Sequence, residues 1–188
     1  MTGSASRRRN SYAEYLELDE TSNVKLEFFD GEIFATAGGT PEHAALAMNV
    51  GIAMAAARER GCNLHSSDLR VRVLATGLAA YPDVTVVCGP KQVDPESRTT
   101  IINPSVIVEV LSDGTQDYDR GEKAEHYRQI PSLQVCMLVS HRERHIEVWR
   151  RGPAGGWSCA DYRAGAIIEL EAIGVSFAVD EVYRGVLQ

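Results

Sequence analysis

The most constraining feature of this sequence is an apolar, strand-like run that contains a glutamate, Ser105–Leu111. Side chains alternate between the two faces of a strand, and both faces of this run are apolar. The pattern therefore predicts a central strand that is covered on both sides. An ionised Glu109 in that setting costs several kcal/mol unless a partner compensates its charge. The identity of that partner is the main question that the sequence raises.

A second acid and a lysine are the candidate partners. Asp83 opens another apolar run, Tyr81–Val87, and Lys123 ends the segment Asp119–Lys123. Mg²⁺ is bound in proteins by one or two carboxylates and otherwise keeps water and substrate oxygens. Two acids on strands with a following lysine are typical of metal-dependent phosphodiesterases. We therefore predict Mg²⁺, or Mn²⁺ in its place, at Asp83 and Glu109, with Lys123 stabilising charge on the phosphate.

A structural interpretation explains the same three residues. Asp83 would merely open a strand after Pro82, while Glu109 and Lys123 would form an ion pair. Spacing alone does not separate the two interpretations. Glu32 and His43 are further candidates, but a solvated strand-edge acid and a capping or core histidine are the commoner explanations for them.

Periodicity and capping patterns predict a single domain over residues 11–188, after a disordered tail over residues 1–10. Ser11 and Glu14 form a capping-box pattern for a first helix, and alternation around Asp30-Gly31 predicts a hairpin. Asp119 and Glu122 repeat the capping pattern, so a later helix is expected to begin at Asp119. The other predicted elements are a helix over 41–60, strands over 62–66, 68–74, 82–88, 105–111, 133–139, 146–150, 157–162, 166–170 and 175–179, and a polar loop over 89–103.

Charge and cysteine content limit the classes of function. The formal net charge of -7 argues against a broad basic surface for nucleic acid, but it leaves room for a local basic strip. The 4 cysteines are widely spaced without a Cys-x-x-Cys, so we expect neither zinc nor a structural disulfide. No apolar run suits a membrane span, and we expect a cytoplasmic protein. The strip would comprise Arg58, Arg60, Arg70, Arg72, Lys123 and Arg128.

Three segments together resemble a known family: Tyr81–Asp83, Asn103–Ser112 and Asp117–Lys123. They are similar to the bacterial Uma-two (Uma2) family of restriction-endonuclease-like proteins, within the PD-(D/E)XK nuclease superfamily. The resemblance extends over roughly residues 11–185. In the superfamily's pattern the lysine stands two residues after the second acid, where this chain has Leu111. The resemblance implies that Lys123 reaches back from the following helix to replace that lysine.

The resemblance also implies a fold and a substrate. The expected fold is α/β (α+β), with a restriction-endonuclease-like mixed central sheet flanked by helices and preceded by a helix and a hairpin. It implies a metal-dependent endonuclease acting on DNA as a homodimer, with the carbonyl of Val110 as a further metal ligand. Two alternatives stay open: an inactive nucleic-acid-binding or regulatory module that retains the nuclease fold, and a structural homodimerisation protein.

Overall fold

The computed structural model describes residues 9–36 and 38–187. Helical segments are few, and the longest is the alanine-rich one. Residues 1–8 of the predicted tail lie outside the described residues, whereas Arg9 forms an ion pair with Asp30. The α-helices are α1 (Tyr12–Thr21), α2 (Pro41–Ala53), α3 (Gln116–Tyr118), α4 (Ala124–Tyr127) and α5 (Val179–Val182), with a 3₁₀-helix over Ala55–Arg60 and a π-helical turn over Asp119–Lys123.

The strands form two six-stranded sheets and a separate hairpin. The first sheet has the order β2-β1-β5-β4-β8-β7, the second has the order β12-β11-β10-β9-β6-β3, and β13 pairs with β14. Their bounds are β1 (Leu26–Phe29), β2 (Glu32–Ala35), β3 (Cys62–Ser66), β4 (Arg70–Arg72), β5 (Ala79–Ala80), β6 (Val84–Cys88), β7 (Val93–Asp94), β8 (Ser97–Ile101), β9 (Val106–Val110), β10 (Val135–Val139), β11 (His145–Arg151), β12 (Trp157–Arg163), β13 (Ile167–Leu170) and β14 (Val175–Ala178).

The N-terminal helix and hairpin form as their local sequence predicts. Ser11 and Glu14 make the full capping box at the start of α1. Asp30 and Gly31 have φ angles of 48° and 81°, which is the backbone that a two-residue hairpin turn of the primed type requires. The prediction of these two elements is confirmed, and α1 ends at Thr21, three residues beyond the end at Leu18 that the sequence predicts.

Strand β9 lies inside the second sheet, parallel to β10 and antiparallel to β6. Its valines pack on the face where α2 contributes Leu46 and Val50, and Ile107 packs on the opposite face with Tyr127. All five residues of β9 are buried. The prediction of a central strand covered on both sides is confirmed, and the fold is a mixed α+β architecture with helices on the second sheet.

Several predicted features are wrong. The expected loop 89–103 contains β7 and β8, because its short Thr-rich run pairs with β4 to extend the first sheet. The helical segment begins at Gln116, so Asp119 is inside it and does not cap it. Cys62 and Cys88 form a disulfide, because the register of β3 and β6 sets these distant residues opposite each other.

Two arginines of the basic strip that the sequence allows are taken up in ion pairs. Arg70 is buried against Asp19, and Arg72 pairs with Asp94 and Glu96. Their guanidinium charges are therefore neutralised inside the protein. No helix among the described residues is both long and apolar enough to cross a membrane.

Candidate functional site

Lys123 joins the two sheets through a cluster of buried charges. Its Nζ lies 3.1 Å from Oε1 of Glu109 on β9 and 3.0 Å from Oε1 of Glu27 on β1. Asp119 contributes a third acid, with Oδ1 at 3.7 Å from the same ammonium. All four side chains are at most 10% exposed. We call Glu27, Glu109, Asp119 and Lys123 the acid–lysine cluster.

The helical segment after β9 is built to present one face to Glu109. Asp119 and Lys123 are four residues apart and Tyr127 follows four residues later, so all three lie on the same side of the segment. The tyrosine hydroxyl donates a 2.7 Å hydrogen bond to Oε1 of Glu109. The turn between Asp119 and Lys123 is π-helical, a local widening that is frequent at functional sites.

Asp83 lies beside this cluster, immediately before the neighbouring strand β6. In the register of β6 and β9, Val84 pairs with Val108, and continuing it by one residue sets Asp83 opposite Glu109. Cross-strand neighbours of this kind have Cβ atoms about 5 Å apart. Oδ2 of Asp83 accepts a 2.7 Å hydrogen bond from the backbone N–H of Val110 and lies 3.3 Å from Nε2 of His43. Asp83 and Glu109 thus stand at the same end of the second sheet.

His43 is set in place by the start of α2. Thr40 caps that helix by accepting a hydrogen bond from the backbone N–H of His43. A Cβ atom on residue 39 would come within 2.6 Å of the imidazole Nδ1, so Gly39 is needed for the chain to pass this ring. The hydrogen bond with Asp83 raises the pKa of His43, although partial burial acts in the opposite direction.

The cluster holds more acid than base. Burial raises the pKa of Glu109 to about 8, and the nearby charges of Asp83, Asp119 and Glu27 add to this effect against the opposing charge of Lys123. Burial likewise raises the pKa of Asp119. Burial by itself would lower the pKa of Lys123, but its acidic neighbours outweigh this and raise it. The ammonium of Lys123 is therefore held in its charged form, and burial favours the protonated form of Glu109 more than it would for an exposed glutamate.

The structure brings the three predicted residues Asp83, Glu109 and Lys123 to one end of the second sheet, and Val110 contacts Asp83 through its N–H. Sequence reasoning missed Glu27 and Tyr127. The signal for Glu27 was present, since it is an acid within the apolar strand Leu26–Phe29. Glu32, on the next strand of that hairpin, is exposed.

The oxygen donors of this site suit a hard cation. Among residues 9–36 and 38–187, no three His, Cys, Asp or Glu side chains form a ready-made metal site. Mg²⁺ does not require one, because it commonly takes only one or two carboxylates from the protein. The excess of acid over base around Glu109 is the observation that fits a divalent cation.

Two curated relatives and one solved structure are similar to this chain. The chain is 38% identical to uncharacterized protein slr1290 of Synechocystis sp. over 92% of its length and 90% of that protein. It is 31% identical to uncharacterized protein sll1609 of the same organism, over 74% and 79% of the two chains. A crystal structure from Anabaena variabilis, described as "a putative nuclease belonging to DUF820", shares the fold. Its TM-score is 0.73 at 17% identity, and the match covers 93% of this chain and 97% of that one.

The sequence profile of one family, described as "Uma2: Putative restriction endonuclease", matches residues 12–180. That match contains both strands of the candidate site and the helical segment that carries Lys123. The chain belongs to the Uma2 family of restriction-endonuclease-like proteins.

Proposed function

We propose that this chain is a Mg²⁺-dependent endonuclease that hydrolyses phosphodiester bonds in DNA. The observation that carries the proposal is the position of Lys123, whose ammonium lies 3.1 Å from Glu109, while Asp83 immediately precedes the adjacent strand β6 and bonds to the N–H of Val110. Two acids and a lysine from three separate segments thus meet at one end of a sheet. Membership of a restriction-endonuclease-like family supports the same activity.

Asp83 and Glu109 would hold the metal, and the backbone carbonyl of Val110 would supply a third oxygen from the protein. When bound, Mg²⁺ supplies a nucleophilic water and positive charge next to the phosphoryl oxygens. Lys123 is assigned to stabilising the negative charge that develops on the phosphate. A lysine whose pKa is raised by surrounding acids stays protonated, so it does not serve as a general base.

The test is cleavage of supercoiled and single-stranded DNA by purified protein with Mg²⁺ or Mn²⁺ and with an EDTA control. Asp83→Asn and Glu109→Gln keep the side-chain volume and remove ligand charge, so metal affinity and cleavage are expected to fall together. Lys123→Met leaves both ligands in place and is expected to lower kcat chiefly. Loss of one such charge-stabilising group costs roughly 10²–10³-fold in kcat.

Glu32→Gln is the matched control, because Glu32 is an exposed acid on the β1–β2 hairpin outside the cluster. It should cleave like the wild type. Equal nicking by the wild type and all of the site variants would falsify the catalytic assignment.

The second candidate is a non-catalytic nucleic-acid-binding or regulatory module. The observation in its favour is the burial of the cluster, where Glu109 and Lys123 are 6% and 7% exposed. DNA binding without any metal-dependent cleavage would favour this candidate.

A further inference from the structure

Glu27 uses one oxygen atom to hold two parts of the site. Its Oε1 accepts a hydrogen bond from Nζ of Lys123 at 3.0 Å and another from the backbone N–H of Tyr81 at 3.1 Å. Tyr81 precedes Asp83 by two residues, so the same oxygen fixes the segment that leads to Asp83. Glu27 belongs to the first sheet, whereas Asp83 and Glu109 stand at the second.

In the proposed nuclease, Lys123 and a metal ion would compete for the carboxylate of Glu109. Its ammonium contacts Glu109, yet a metal ion would claim the carboxylate of Glu109. A buried ammonium that loses its only partner becomes strongly destabilising. Lys123 has other acids, and Glu27 at 3.0 Å is closer than Asp119 at 3.7 Å.

We propose that Glu27 is a positioning residue that retains Lys123 in the site when Glu109 turns to the metal. The proposal rests on the metal site of the proposed function. Glu27 does not touch the metal in this scheme. It keeps the ammonium charged and directed at the site. The same carboxylate oxygen also holds the Tyr81–Asp83 segment in place.

An ordinary ion pair between the sheets makes a different prediction. It would add stability, and its removal would lower the melting temperature without a specific link between Lys123 and metal binding. The two can therefore be separated by asking whether the effect of Glu27 on metal affinity depends on Lys123.

The first experiment needs no metal and measures acetylation of lysine at one fixed pH by mass spectrometry. Lysine occurs only at positions 25, 91 and 123, and Lys91 is exposed, so it serves as the internal control. Glu109→Gln imitates the withdrawal of the Glu109 carboxylate, and Lys123 should stay protected in it. In the double variant that combines Glu27→Gln with Glu109→Gln, Lys123 should be acetylated far faster. Equal labelling of the single and double variants overturns the proposal.

The second experiment measures Mn²⁺ affinity for the wild type, Glu27→Gln, Lys123→Met and the double variant. Residues that orient a metal ligand are typically worth about 10–100-fold in affinity, and we expect a loss at the low end of that range for Glu27→Gln. In the Lys123→Met background the same change should cost several-fold less. An equal loss in both backgrounds overturns the proposal, because Glu27 would then act on metal affinity through its own negative charge and independently of Lys123.

The isosteric variants are checked by thermal unfolding before either measurement. If the wild type binds no Mn²⁺, the metal-dependent function fails. The labelling experiment still decides whether Glu27 retains Lys123 when the Glu109 carboxylate is withdrawn. If the wild type binds Mn²⁺ and the labelling fails, only the role of Glu27 is overturned.

Discussion

Two of the buried charge clusters among the described residues differ in their balance of acid and base. In the Arg70 cluster, one guanidinium meets one acid, Asp19, and its remaining N–H groups donate to hydroxyl oxygens, including Oγ1 of Thr100 at 2.7 Å. In the acid–lysine cluster, one ammonium meets three acids. A buried charge with a matched partner is a structural device, whereas an excess of buried acid leaves room for a proton or a cation.

Tyr81 connects the two clusters. Its hydroxyl donates to Asp19, and its backbone N–H donates to Glu27. The two clusters thus share one packing environment, and their different charge balance cannot be attributed to different burial. The contrast predicts that the Arg70 cluster contributes stability at every pH near neutrality, while the acid–lysine cluster responds to protons and metal ions.

The largest expected effect comes from unbalancing the Arg70 cluster. Arg70→Met leaves Asp19 buried without its cation and should lower the free energy of unfolding by about 3–5 kcal/mol. Urea unfolding of both proteins measures the difference. A loss below about 1 kcal/mol, the range of surface ion pairs, would break the comparison by showing that this cluster is not structural.

The disulfide carries no charge, so removing it tests stability independently of charge balance. The disulfide between Cys62 and Cys88 spans 26 residues, and loop closure of that length corresponds to about 3.5 kcal/mol. Replacing both cysteines by serine should lower stability by that order without altering its dependence on pH between about 5 and 8. Urea unfolding at several pH values tests this, and an altered pH dependence would contradict it.

Glu109 should make stability fall as the pH rises. Its pKa in the folded protein, about 8, is above its ordinary value of 4.5, so the protonated carboxyl favours the folded state. This contribution is complete below pH 4.5 and is lost as the pH rises to about 8. We expect the free energy of unfolding of the wild type to fall across this window relative to Glu109→Gln, by a few kcal/mol. A difference that stays constant with pH would show that the cluster is balanced after all.

The smallest expected effect is that of Glu32→Gln. Glu32 is exposed and lies outside both clusters. The free energy of unfolding of the Glu32→Gln variant should stay within about 0.5 kcal/mol of the wild type, because surface substitutions away from special features rarely change it more. A larger change, measured by the same urea unfolding, would mean that the hairpin edge is more constrained than its exposure indicates.

The part of the site that could be predicted is the part carried by local patterns. An acid inside an apolar strand identified Glu109, and an acid at the start of another identified Asp83. Glu27 carries the same kind of signal, but its importance depends on the docking of two sheets, which no local pattern specifies. Lys123 contacts it across 96 residues of sequence.

Two errors have a common physical origin. Asp119 was expected to cap a helix because acid residues three apart imitate a capping box, yet the helical segment begins at Gln116 and the side chain turns to Lys123. Cys62 and Cys88 are expected to stay reduced from the sequence, because their spacing does not reveal the register in which β3 pairs with β6. In both cases the tertiary partner, and not the local sequence, decides the role.

The contact between Lys123 and Glu27 also bears on the order of events during folding. The two residues are 96 positions apart, so the pair cannot close until the chain extends from the N-terminal hairpin to the segment beyond β9. Contacts of such long range are late and slow to assemble, since the chain entropy of closing the loop must be overcome first. A growing or incompletely folded chain would therefore carry the strand acids without their lysine. Completion of the site then coincides with the docking of the two sheets.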